Sequence, residues 1–536
     1  MFMKKNFKTS VIYLLIVSIM LSLSLTSTLA LGDKNEDNKC VFIIPVGSGE
    51  GKIAYSPDVE DSQRFGSTSF AVSNNNEFHI LDNIDQQIEI FRKDGKSLGT
   101  VNLADEDYFD IEVKNNGNYM LLSYQGFVSE IDKSGNVINK LEVQKPNMKE
   151  AYMNFMSLYK DKNGDIALRD SKEGSERNLE NGIVSTSFDG VSVEKKGKDL
   201  QLSHRSKKFK VKYNYQPNGT YPIASTTNEL LMVEREAIGG RKVYVENRIS
   251  KYKDGEKVGM ALAEPTVNYE VIPHKFLYAT KTGDVYQMIC DKNNVAIYNL
   301  SVTSKEKTKL TEDFVAKLNG TDNSNVASSS LLSTRTITST RTITSTTTDR
   351  YNAWLRGLDM AEYVWTYNPA TMKTPYTTYT TPPENLRGSS TIQVTGIPYK
   401  WGGFDNISEF STKLTQGKTA GDIKSGTTSS YVVSSVTGID CSGFISRAYN
   451  LTTKLGTTTM SNEFEEPEDY DPELGDIFNK PGSHVVMFVS NEYSGYDGSW
   501  LGINTLESTD VGSVDGCKEW FESVSYLQSC TLMRKK

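Results

Sequence analysis

The segment FAVSNNNEFHILDNIDQQIEIFRKDGKSLGTVNL, residues 70–103, decides the reading of the first half of the chain. Its apolar residues come in short runs, Ile80-Leu81 and Ile88 to Phe91, broken by Asn75-Asn76 and Asp94-Gly95. That punctuation belongs to strands joined by tight turns, not to helices. Outward from this segment the same two signals recur. An Asn- or Gly-bearing turn precedes a strand at Asn75-Asn76, Asn116-Gly117, Asn163-Gly164 and Thr282-Gly283. A second turn follows at Asp94-Gly95, Ser134-Gly135, Asp189-Gly190 and Asp254-Gly255. The first copies lie about 40 residues apart, which suits one four-stranded blade per repeat. The sequence therefore predicts an all-β, propeller-like domain over residues 40–318, of five or six blades, with a pair of β-sandwiches as the alternative.

Within that domain, Ile80-Leu81-Asp82 and Ile88-Glu89-Ile90-Phe91 leading into Asp94-Gly95 resemble a blade of the NHL-type or a related propeller. Residues 319–349 then turn to Ser, Thr and Asn, with Ser-Thr-Arg-Thr-Ile-Thr at Ser333–Thr338 repeated at Ser339–Thr344. Such a stretch buries little apolar area and reads as a linker. Beyond it Tyr351, Trp354, Leu355, Leu358, Ala361 and Trp365 fall at helical spacing, with Asp349 as cap and Pro369 past the end. One amphipathic helix is thus expected to open a last domain, 350–536.

The length, 536 residues, requires more than one core. A formal net charge of −8 and the lack of a dominant Lys/Arg cluster argue against a nucleic-acid partner. Lys4, Lys5 and Lys8 precede an apolar run from Val11 to Leu25 and a small-residue site at Thr28-Leu29-Ala30. This reads as a secretory signal peptide, residues 1–30, and implies a secreted, cell-wall-associated protein with no membrane contact after cleavage. The rival, a membrane anchor, needs a longer apolar run of about 20 residues. Cys40 follows Asp37, Asn38 and Lys39, not the small apolar residues of a lipid-modification site. Of five cysteines, Cys40, Cys290, Cys517 and Cys530 are open either to two disulfides or to free thiols.

The strongest chemical signal is Gly438-Ile439-Asp440-Cys441-Ser442-Gly443-Phe444. Cys441, Phe444, Ile445 and Ala448 share one helical face and Asp440 sits where an N-cap belongs, so Cys441 opens a buried helix. A helix N-terminus and a nearby imidazolium both favour the thiolate that attacks carbonyl carbon. Of four histidines, only His484 lies beyond the linker. It starts the apolar run His484–Val489, and a second strand is expected over Trp500–Leu506. An antiparallel hairpin centred near Gly495 places Glu507 opposite His484, with Asn504 as the fallback. A carboxylate there orients the imidazole and stabilises its charged form. The acids from Glu463 to Glu473 read as a solvated loop. No metal-ligand spacing or phosphate-cradling motif is evident, and no cofactor is expected.

In chain order, Tyr399-Lys400-Trp401-Gly402-Gly403, Asp440-Cys441-Ser442-Gly443-Phe444, Leu474-Gly475-Asp476-Ile477 and His484-Val485-Val486 resemble the signature of NlpC-type cell-wall peptidases. The resemblance covers about Gly396 to Asp510. It implies a papain-like α+β cysteine hydrolase that cuts amide bonds in peptidoglycan stem peptides, by default between D-glutamate and a diamino acid. It further implies that Cys441 is the nucleophile and His484 its base, and the hairpin register leaves Glu507 as the orienting residue. Tyr399 and Trp401 would bind substrate, Tyr399 or the backbone N–H of Cys441 would face the oxyanion, and Asp440 and Ser442 would hold the substrate's free amino group. Two departures stand out: 36 residues separate Gly403 from Asp440, and no His follows His484 to serve as the third residue. The alternative from another class is an exported binding protein whose propeller takes a protein or wall ligand and whose last domain is inactive or an amidase or acyltransferase.

Overall fold

The computed structural model describes residues 38–536 apart from 56–65, 105–106, 144–149, 162, 197–198, 226–228, 240–242, 267–270, 292, 304–307, 309, 311–313, 316–344, 374–375, 377–379, 389, 424–431, 469 and 511–514. The expected signal peptide and almost all of the expected linker lie outside the described residues.

Six antiparallel sheets follow one another along the first half of the chain. Five have four strands, and the fourth in order, Val191 to Val211, has three. They form blades running from Ser69 to Asn102, Tyr108 to Glu142, Met156 to Ser185, Val191 to Val211, Gln216 to Leu262 and Leu277 to Asn299. The last blade takes its outer strand from the start of the domain: Lys39–Pro45 pairs antiparallel with Asn294–Asn299. This pairing fastens the two ends of the ring together, so the domain is a six-bladed propeller rather than a pair of sandwiches.

Neighbouring blades interlock through apolar clusters. Phe109, Met120 and Leu122 pack on Met156, Leu158 and Ile166 between the second and third blades, and Val191, Leu200 and Leu202 pack on Leu230 and Met232 between the fourth and fifth. At the hub a polar knot ties four blades. Asp110 accepts from Ser69 Oγ at 2.6 Å and from Leu158 N–H at 2.6 Å, and its carboxylate meets Lys275 Nζ at 3.0 Å. A buried carboxylate saturated in this way offsets its own desolvation.

The turn signals sit where the backbone needs them. Asn76, Gly117, Gly164 and Gly283 have φ between 60° and 88° in the turns that join the first and second strands of the first, second, third and sixth blades. That left-handed region is open to Gly and tolerated by Asn. Asp94-Gly95, Ser134-Gly135 and Asp254-Gly255 join third to fourth strands. Asp189-Gly190 instead links the third blade to the fourth, because its local geometry specifies a turn and not which strands flank it.

The closing unit begins with helix α1, Ser345–Glu362, starting earlier than expected, so Asp349 lies inside it. Ser and Thr cost only a few tenths of a kcal/mol in a helix interior, and the preceding Thr run continues it. Trp365 is not helical: Val364–Tyr367 pairs with Ile392–Thr395, as suits an aromatic and β-branched segment. The long connection after Gly403 carries α2, Ile407–Thr415, closed by an Asn406/Glu409 capping box. Helix α3, Cys441–Ala448, follows. Six strands then build one antiparallel sheet: β1 (Phe464–Glu465), β2 (Ile477–Lys480), β3 (His484–Tyr493), β4 (Trp500–Thr509), β5 (Gly516–Ser523) and β6 (Thr531–Lys535), in the order β1-β6-β2-β3-β4-β5. A short helix α4, Val524–Leu527, joins β5 to β6.

One face of this sheet packs on α1 and α3, with Val485, Met487 and Leu506 beside Phe444 and Ile445. The other packs on α4 and the propeller, with Val486, Phe488 and Ile503 beside Ala237 and Val245. The β3–β4 turn, where the sequence centres a hairpin near Gly495, is a docking tongue. Gly495 N–H donates to Lys172 O at 2.7 Å, Tyr496 stacks on Phe188 at 4.4 Å, and Asp497 accepts from Thr220 N–H at 3.0 Å. None of the five cysteines is in a disulfide, and burial pushes the thiols of Cys290 and Cys530 up to about 12.

Candidate active site

Helix α3 begins as its sequence requires. Asp440 is extended (φ −96°, ψ −177°) and its carboxylate accepts from Gly443 N–H at 2.7 Å, capping the helix. Cys441, Phe444, Ile445 and Ala448 are fully buried. The segment Tyr399–Phe404 wraps this start: Tyr399 and Phe404 both bridge to Ile439. Gly403 has to lack a side chain, since a Cβ there would lie 2.5 Å from Gly438 O. Tyr399 is buried with its N–H on Asp515 O at 3.1 Å, and Trp401 is half-buried with its N–H on Asp422 O at 3.0 Å. The four residues expected to flank the nucleophile, Tyr399, Trp401, Asp440 and Ser442, are therefore gathered around the first turn of α3 or on the segment beside it.

His484 opens β3, and its Nε2 lies 2.7 Å from Glu507 Oε2 on β4. The two side chains are 1% and 0% exposed. A carboxylate only accepts, so Nε2 carries the proton and donates, which leaves Nδ1 as the acceptor nitrogen. Glu507 Oε1 in turn accepts from Thr505 Oγ1 at 2.6 Å. The pairing arises by a different register from the one expected. Met487 faces Leu506, and the ladder carries a bulge between Phe488 and Ser490, so Glu507 meets His484 diagonally rather than directly opposite. Asn504, the fallback, is occupied with Glu492 Oε2 at 2.8 Å and Ser490 Oγ at 3.1 Å.

Helix α3 packs on the same strand pair, and Ser508 Oγ donates to Ile439 O at 2.8 Å, tying the end of β4 to the residues before Cys441. The alternation along β3 and β4 nevertheless sets His484 and Glu507 with Val486 and Ile503, whereas Val485, Met487 and Leu506 share a core with Cys441. The structure thus unites His484 with Glu507 on one face of the strand pair and places Cys441, buried, on the helix that covers the other face.

Three contributors carried no signal strong enough to be read in sequence. Thr505 was visible only as the residue two before Glu507 on the same strand face. Ser508 gave no cue. Lys454 lies in an irregular loop, yet its Nζ sits 3.0 Å from Asp440 Oδ2 and 2.7 Å from Ser442 Oγ. The chain's own ammonium thereby occupies the two groups that the resemblance assigns to a substrate amine. Of the acids before the strand, Glu465, Glu466, Glu468 and Asp471 are exposed as a solvated loop requires, whereas Glu473 binds Arg350 and Glu463 binds Lys535. Among the described residues no group of three His, Cys, Asp or Glu is arranged to hold a metal ion.

No family model matches the chain, and no curated protein matches it. Similar solved structures include a DUF4221-family member from Bacteroides vulgatus, at 11% identity over 50% of this chain and 100% of that one, with a TM-score of 0.31. They also include a catalytically inactive virginiamycin B lyase from Staphylococcus aureus with quinupristin (12%, 50% and 98%, TM-score 0.26). A third is BamB from Moraxella catarrhalis (10%, 49% and 99%, TM-score 0.25). Scores this low carry no argument, and the propeller rests on its sheet order and the pairing that closes its ring.

Proposed function

We propose that the last domain is a papain-like thiol hydrolase acting on amide bonds of peptidoglycan stem peptides, in a chain exported to the cell wall and held there by a propeller ligand. The buried His484–Glu507 pair supports this reading, although it projects from the face of β3 and β4 opposite the one on which the Cys441 helix packs. In the reaction Cys441 sulfur attacks the amide carbonyl while His484 accepts the thiol proton. The proton then passes to the departing amine, leaving a thioester that water cleaves with His484 again as base. Glu507, fixed by Thr505, holds the imidazole tautomer and its charge. The bond between D-glutamate and a diamino acid is the default target. Because Lys454 already satisfies Asp440 and Ser442, an acyl side whose amino group is blocked suits this site better than a free amine.

The reaction needs Cys441 uncovered and brought within hydrogen-bond reach of His484, so hydrolysis by the resting chain is expected to be slow. The test is digestion of purified peptidoglycan by the full chain beside its Cys441→Ala variant, with products identified by mass spectrometry. Release by the wild type alone supports the thiol enzyme and names the bond. Release by neither, from folded protein, favours the second reading, a propeller-based binding protein, to which the full burial of the thiol also points.

A further inference from the structure

Between the propeller face and the closing domain lies a cavity of about 670 Å³. That volume falls in the range of roughly 300–1,000 Å³ typical of small-molecule sites. Both domains supply aromatic walls: Phe155 from the propeller meets Phe521 from β5 at 4.4 Å between ring centroids, and Trp520 and Tyr526 line the same space. Its floor carries Arg169, which is 5% exposed.

The partners of Arg169 are incomplete in a specific way. Nη1 donates to Pro222 O at 3.1 Å, while Nε and Nη2, both buried, have no hydrogen-bond partner among the described residues. No carboxylate forms an ion pair with the guanidinium among them either. Glu176, opposite it on the next strand, accepts from Asp189 N–H at 2.6 Å instead. The Tyr159 and Phe188 rings hold the guanidinium plane, with its carbon 3.9 Å and 4.5 Å from their centroids. Nε and Nη2 form the parallel donor edge that matches a carboxylate with two hydrogen bonds. A buried cation with that edge unpaired costs free energy until an acceptor arrives.

We infer that this cavity binds a small organic carboxylate with an aromatic or apolar body, its carboxylate on the Nε/Nη2 edge of Arg169 and its body against Phe155, Trp520 and Phe521. The site is independent of Cys441, so its test reads binding alone. Anilinonaphthalene sulfonate serves as the fluorescent probe on the full chain, with N-acetylphenylalanine and its C-terminal amide as competitors that differ only in the carboxylate. The expected result is one saturable probe site per chain, displaced at least tenfold better by the acid than by the amide. Arg169→Met should abolish that preference, and Ser529→Trp, which fills the cavity from the closing domain, should abolish probe binding. Equal displacement by acid and amide, absence of a saturable site, or wild-type binding in a folded Ser529→Trp variant would each overturn the inference. If Arg169→Met fails to fold, the acid–amide comparison and the Ser529→Trp variant still decide it.

Discussion

The pair of His484 and Glu507 gives the proposed function its sharpest test. Both side chains are buried and their contact is 2.7 Å, the geometry of a charge-assisted hydrogen bond. Such a bond contributes about 1.5–3 kcal/mol, more than a neutral one. In Glu507→Gln the amide keeps its oxygen toward Thr505 and turns its NH2 toward Nε2. The amide then donates where the carboxylate accepted, and the imidazole proton moves to Nδ1. The base loses its acceptor nitrogen, and the thiolate–imidazolium form loses the carboxylate that stabilises it. At about 1.4 kcal/mol per factor of ten, that form becomes about 10–150-fold rarer. The first readout is the rate at which the full chain releases fragments from purified peptidoglycan, the reaction in which the thiol has to meet the imidazole. It should fall by that factor at neutral pH, and Glu507→Asp should recover part of it. The second is the nitrogen NMR spectrum of the four imidazoles, in which one ring should exchange its protonated nitrogen. Unchanged hydrolysis alongside a changed tautomer would refute the coupling of Cys441 to His484 and with it the hydrolase reading. An unchanged tautomer would refute the charge-assisted pair itself.

Acid should destabilise the propeller through His79, whose imidazole burial, then the Lys160 charge, pushes down to about 4 from the usual 6.5. The folded value lies below the unfolded one, so this contribution is complete above 6.5 and is lost as pH falls from 6.5 toward 4. It amounts to about 2 kcal/mol between pH 7 and pH 5. Urea unfolding of His79→Gln at those two pH values should show a loss smaller than wild type by that amount, and equal losses would contradict it. Asp497→Ala leaves the buried Thr220 N–H without its acceptor and should cost about 1–3 kcal/mol, read by calorimetry as a lower melting temperature and earlier separation of the closing domain from the propeller. Lys454→Met strands the buried Asp440 carboxylate beside the nucleophile, and Lys454 is partly exposed, so a loss of about 2 kcal/mol is expected in urea unfolding. Lys454→Arg should restore most of it, and a neutral Lys454→Met would show that Asp440 finds another counter-charge.

The propeller was legible because its turns demand unusual backbone. Gly117, Gly135, Gly164 and Gly283 stand at φ near 90°, where most residues are strained, so the turn positions are written in composition. Strand pairing over distance is written nowhere locally. Nothing in Cys40-Val41-Phe42-Ile43-Ile44 says that it pairs with Asn294–Asn299, and ring closure, blade count and the misplaced turn at Asp189-Gly190 follow from that contact. The docking tongue escaped notice for the same reason. Tyr496 and Asp497 are ordinary turn residues until Phe188 and Thr220 are beside them.

At the site, sequence conveyed order and spacing but not which face of the sheet each side chain takes. A single His beyond the linker and a carboxylate after the next strand were enough to name His484 and Glu507, even though the bulge at Phe488 shifted the register that joined them. The diagonal offset left them together because both remain on one face, and a shift of one residue would have parted them. Cys441 was placed at its helix start by Asp440 and Gly443, a local signal, but its distance from the imidazole depends on how α3 lies over β3 and β4. There the apolar residues have the deciding weight. Val485, Met487 and Leu506 fill the space under Phe444 and Ile445, which holds the helix on one face while His484 projects with the other. Variants that loosen this packing, such as Met487→Ala, should uncover the thiol and raise Cys441 alkylation while lowering stability by about 2–5 kcal/mol. A loosened variant with no gain in alkylation would mean that something other than packing keeps the thiol covered.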